Sequence, residues 1–100
     1  MKVYRLNFED GPAVHEYDFA LVNDGGVRKV VVNGDRSADF AYRESRYLDI
    51  VREAMSDPQE VSPYRTFFAD RQRAEEVLRE RVATTARQIQ NQAEALAVAL

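Results

Sequence analysis

The chain has 100 residues, one histidine, no cysteine and a formal net charge of −3. That length fits one domain with a modest core, and the lack of cysteine excludes disulfides, thiolate metal sites and cysteine nucleophiles. Acids and bases are mixed along the chain, so net charge gives no help to a sequence-independent grip on nucleic acid.

The opening Met1-Lys2-Val3-Tyr4-Arg5-Leu6 has no apolar signal core, and no apolar run approaches the ~20 residues of a membrane helix. The expected location is the cytoplasm.

Residues 2–8 alternate, with Tyr4, Leu6 and Phe8 against Val3, Arg5 and Asn7, which is the period of a strand with one buried and one wetter face. Asp10-Gly11-Pro12 marks a turn. Residues 15–22 alternate again, with Tyr17, Phe19 and Leu21 on one side and Glu16, Asp18 and Ala20 on the other. Asn23-Asp24-Gly25-Gly26 is a hairpin signal, because its glycines supply the positive φ of tight hairpins. Residues 27–32 form the return strand. With either Asp24-Gly25 or Gly25-Gly26 as the loop, Phe19 and Leu21 share a face with Val30 and Val32.

Asn33-Gly34 resembles a second hairpin turn, but a fourth strand after it would send Phe40 to the wrong face. Ser37 or Asp39 as the N-cap of a helix fits better. From Phe40 onward, Tyr47, Leu48, Val51, Ala54 and Met55 fall on one helical face. Asp57-Pro58-Gln59-Glu60 stops that helix, and Ser62-Pro63 starts another.

The expected fold is therefore α+β: a three-stranded antiparallel meander (about 2–8, 15–22 and 27–32) and two antiparallel helices (about 38–56 and 63–99). As one domain over 1–100, it divides into a sheet (1–35), a first helix (37–56), a connector (57–62) and a long C-terminal helix (63–100). Helices should cover the single apolar face of the sheet.

The long helix carries an apolar stripe: Phe67, Ala74, Leu78, Val82, Ile89, Ala93, Leu96 and Leu100. Its members recur at eleven-residue intervals, such as Phe67–Leu78–Ile89–Leu100. That is ~3.67 residues per turn, the period of a nearly straight helix rather than a long left-handed zipper. Paired antiparallel, the first helix would cover the second only to about Val82. Ile89, Ala93, Leu96 and Leu100 then need another cover, either the protein's own sheet or a second chain. Ala95 to Leu100 is apolar on all sides, as expected of a buried helix.

Candidate chemistry is sparse. His15 lacks a second histidine for a zinc site, and Gly25-Gly26 is a turn rather than a phosphate loop. No nucleophile or carboxylate pair has catalytic spacing. No catalytic, cofactor or metal residue is expected, and the protein is read as a non-enzyme.

The candidate interface comprises Ile89, Ala93, Leu96 and Leu100, with Tyr42 and Tyr64, which strand and helix faces do not explain. Glu44 and Arg71 interrupt the two helical faces at matching levels, so an interhelical salt bridge between them would set register. Arg65, Arg73, Arg81 and Arg87 share one broad side of the long helix with interleaved acids.

The reading is a protein–protein interaction module: a small inhibitor or regulator of a larger assembly, able to dimerise through its C-terminal helix. Phage- or mobile-element-type blockers and antitoxins do such work, an analogy of size and class alone. The alternative is a nucleic-acid-binding or nucleoprotein-complex subunit using the Arg-bearing face.

Overall fold

The computed structural model describes residues 1–34 and 44–99. Among these, the order is β1 (Lys2–Asn7), β2 (Ala13–Asp24), β3 (Val27–Val32), α1 (Glu44–Ala54), β4 (Phe67–Phe68) and α2 (Arg71–Ala99). The proposed caps Ser37 and Asp39, and Phe40, lie outside the described residues.

The meander forms as the alternation requires. In the β2–β3 hairpin Phe19 lies opposite Val32 and Leu21 opposite Val30, while Asp24 meets Val27. Gly25 and Gly26 are thus the two-residue loop, with φ of 59° and 84°, a backbone that L side chains adopt only with strain.

A fourth strand joins the sheet, giving the order β3-β2-β1-β4. Its two residues pair antiparallel with β1, Tyr4 opposite Phe68 and Arg5 opposite Phe67. Phe67 therefore belongs to the sheet, and the long helix starts at Arg71 rather than Pro63. The start signal is Asp70: its carboxylate accepts from Gln72 N–H at 3.1 Å and its carbonyl accepts from Ala74 N–H at 3.1 Å. This is an N-cap, supplying acceptors to the otherwise unpaired first-turn donors.

The largest departure from expectation concerns the helices. They lie on opposite faces of the sheet and do not form an antiparallel pair. Directly opposed strand residues share a face, so the two core clusters identify the sides. One holds Val3, Phe19, Val30, Val32 and Phe67 against Ile50 and Ala54 of α1, with Tyr17, Leu21 and Tyr47 at its border. The other holds Leu6 and Phe68 against Ala74 and Val77 of α2, with Tyr4, Val14 and Leu78 at its border. β1 feeds both, Val3 to one side and Leu6 to the other, so it has no wetter face.

The α1 contact runs through Tyr47, Ile50 and Ala54, spaced at one helical stripe. Leu48 and Met55, expected on that stripe, are exposed. Phe19 is the centre of this side, stacked on Tyr17 at 5.8 Å and edge-on to Tyr47 at 6.2 Å.

Because the helices sit on opposite faces, the segment between them must pass around the β4 edge. Arg65 holds it there. This side chain is buried, and its guanidinium donates to the carbonyls of Phe67 (3.2 Å), Asp57 (2.7 Å), Glu60 (3.0 Å) and Ser56 (3.4 Å). It also lies over the Phe68 ring at 4.5 Å. Glu53 of α1 completes the fastening by accepting from the Phe67 N–H at 2.9 Å.

Candidate protein-protein interface

α2 is 29 residues long, about 43 Å of helix, and only its first part touches the sheet. Ala74 and Val77 are buried, Leu78 and Arg81 are partly covered, and every residue from 82 to 99 is exposed. The projection gives the molecule extents of 67 × 28 × 19 Å and a radius of gyration of 18.0 Å, against about 13 Å for a compact domain of this length.

The division falls at the level read from the sequence, though for a different reason. The cover of the first part is β1 and β4, not the first helix. Of the two covers open to the second part, the protein's own sheet is not used: Ile89 is 62% exposed and Leu96 63%, and Ala93 is exposed too. Leu100 and Tyr42 lie outside the described residues. Tyr64 is 87% exposed, in the Ser62–Arg65 turn, whose ends are joined by a 3.1 Å hydrogen bond. That turn stands next to α2, with Pro63 and Thr84 lining one cleft.

The projecting half has its own pattern. The eleven-residue period runs through Phe67, which is a strand residue, and across both halves of α2. In the projection alone Val82, Ala86, Ile89, Ala93 and Leu96 follow at intervals of four, three, four and three, while Ala83, Ala95, Ala97, Val98 and Ala99 lie off this line. This is a heptad seam, with Val82, Ile89 and Leu96 at its large positions and Ala86 and Ala93 at its small ones. Its flanks carry Ala83, Thr85, Gln90, Gln92 and Ala97, all uncharged. At its base, Phe8 and Pro12 from the β1–β2 turn join Val82, Ala86 and Ile89 around an apolar cleft of about 290 Å³. Phe8 was legible only as a strand residue; its place beside the helix depends on the β1–β2 turn.

The Glu44–Arg71 bridge does not form. Glu44 pairs with Arg28 of β3 at 2.9 Å, and Arg71 pairs with Glu75 at 3.1 Å. The sheet lies between the two helices, so each residue takes a partner on its own side.

The arginines offered as a nucleic-acid face are largely engaged within the protein. Arg65 is buried in the connector. Arg73 donates to the Pro58 carbonyl at 2.9 Å and pairs with Glu76 at 3.2 Å. Arg81 donates to the Ser62 carbonyl at 3.0 Å. Partial burial lowers the Arg81 pKa from its ordinary value, with Glu53 opposing the shift; a guanidinium so far above neutrality stays charged.

Among the described residues, no group of three or more His, Asp or Glu side chains could hold a metal ion. No helix among them is long and apolar enough to cross a membrane. No protein-family model, curated protein or solved structure matches the chain.

Proposed function

We propose that the protein is a non-enzymatic interaction module of the cytoplasm, a small inhibitor or regulator that docks on protein through the projecting half of α2. The observation that carries this reading is the bare seam. Eighteen consecutive helical residues leave the body of the domain, and three of their four large apolar side chains, Val82, Ile89 and Leu96, fall on one stripe while Val98 lies off it. Single exposed apolar residues are ordinary, whereas a contiguous apolar surface is a mark of association.

The helix is prepared for this use. Its packed half provides the nucleus, so the projection needs only propagation, which its alanines and glutamines favour. A docking element that is already helical costs less to order on binding than a disordered one.

Matched affinity baits test the proposal: the wild-type chain and a chain carrying Ile89→Asp with Leu96→Asp, both offered to an extract of the source cells. A protein retained by the first and lost from the second, the chain itself included, supports the reading. Equal retention on both baits, or none on either, overturns it.

A further inference from the structure

We infer that the occupant of the seam is a second copy of this chain, its α2 running antiparallel to the first. The inference rests on the docking reading above and adds the partner and the register.

The first argument is steric. In an antiparallel helix pair, each small seam position faces a large one of the other helix. Place Ala93 opposite the partner's Ile89. The same register then sets Ala86 opposite the partner's Leu96, and the two-fold symmetry repeats both layers. Each of the four layers over residues 86–96 pairs one alanine with one branched aliphatic side chain, so their widths are even and the axes can approach closely; Val82 lies outside these four layers. An in-register parallel pair would set alanine on alanine and isoleucine on isoleucine, alternating gaps with crowding.

The second argument is electrostatic. The projection holds two charged residues, Arg87 and Glu94, both on the same side of the seam. The antiparallel register sets Arg87 within one residue of the level of the partner's Glu94, twice by symmetry. A parallel pair would carry the two copies of this side to opposite edges of the seam, so Arg87 and the partner's Glu94 would not meet. The uncharged flanks add no repulsion in either case, so these two residues decide the orientation.

The third argument is the fit at the base. In this register the partner's Leu96 arrives at Ala86, beside the cleft lined by Phe8, Pro12 and Val82. Phe8, half exposed in the single chain, gains an apolar neighbour there. The projection is about 27 Å long, so the two folded bodies stand at opposite ends of the helix pair, without competing for space. The interface is isologous and closes at two chains.

Light scattering across a wide concentration range reads the mass directly. The full chain should pass from 11.5 kDa to twice that value. Ile89→Asp should raise the dimer dissociation constant at least a hundredfold, with unchanged circular dichroism, since Ile89 is mostly exposed in the single chain. Orientation is read by oxidation, because the chain has no cysteine of its own. Chains carrying Ile89→Cys mixed with chains carrying Ala93→Cys should form a disulfide-linked heterodimer. Ile89→Cys alone should link poorly, because its two copies would be four residue levels apart, about 6 Å along the axis, beyond disulfide reach.

A full chain that remains monomeric at all concentrations overturns the inference. So does efficient linking of Ile89→Cys alone, which marks a parallel pair. If the monomer result is joined by seam-dependent capture of a different protein, self-pairing falls and the docking reading stands. If neither a second copy nor another protein is held, both fall.

Discussion

The two halves of α2 share one backbone and one helical geometry, yet they meet different surroundings. From Arg71 to Arg81 the helix lies on the sheet, and Ala74 and Val77 are sealed against Leu6 and Phe68. From Val82 onward nothing of the described chain seals it. The packed half carries most of the charge, which is spent on the connector and on neighbouring turns. The projecting half carries two charges and a regular apolar seam. The difference teaches that apolar periodicity reports a face needing cover without reporting whose cover it is. Only the reach of the sheet divides structural burial from a surface for association.

The contrast can be tested by substitutions whose effects should fall steeply along the chain. Phe68→Ala should cost the most, about 3–5 kcal/mol, because Phe68 is 1% exposed and joins the sheet to the α2 core. A urea titration would measure it. Arg65→Met should cost about 2–3 kcal/mol by the same method, since an apolar replacement leaves several connector carbonyls without a donor. A loss below 1 kcal/mol would show that the connector is held by its other bonds.

Val77→Ala should cost about 2 kcal/mol, from two lost methyl groups and the cavity left behind. Arg71→Ala, removing an exposed pair, should change stability by only about 0.3 kcal/mol. Ile89→Ala, a change of similar kind to Val77→Ala but twelve residues later, should leave the dilute chain unchanged within about 0.5 kcal/mol. If Ile89→Ala destabilised the dilute single chain as much as Val77→Ala, the division of α2 would be wrong.

Several features were legible in the sequence for physical reasons. The hairpin could be read because two adjacent glycines demand a positive-φ loop, and the alternation on both sides then leaves one workable face. The α+β class and the place where the long helix loses its cover were legible too. The helix start was misread because Ser62-Pro63 and Asp70 are both good start signals, and the choice turned on β4. A two-residue strand has no period to detect, so Phe67 was absorbed into the helical stripe.

The opposite-face placement of the helices was hidden for a related reason. In β1, Val3 and Leu6 lie on different faces, whereas the alternation by itself presents only one of the two sets as buried. The hydrophobic pattern of a strand covered on both sides is a run, as in buried sheets generally, but the run in Val3-Tyr4-Arg5-Leu6 is interrupted by Arg5. That side chain stays near the surface over the Phe67 ring, with its guanidinium carbon 5.9 Å from the centroid. The Glu44–Arg71 pairing failed with the same assumption, because it required the two helices to touch.

The separation of the core into two half-cores has a consequence for how the molecule opens. The half-core under α1 is the larger, and the half-core under α2 contains four buried residues: Leu6, Phe68, Ala74 and Val77. They share strands but not side chains, so α2 can lift away without exposing Phe19 or Ile50. Amide hydrogens should therefore exchange in three steps. Those of the projection go first, those of the packed half of α2 follow, and those of β2 and β3 wait for global unfolding.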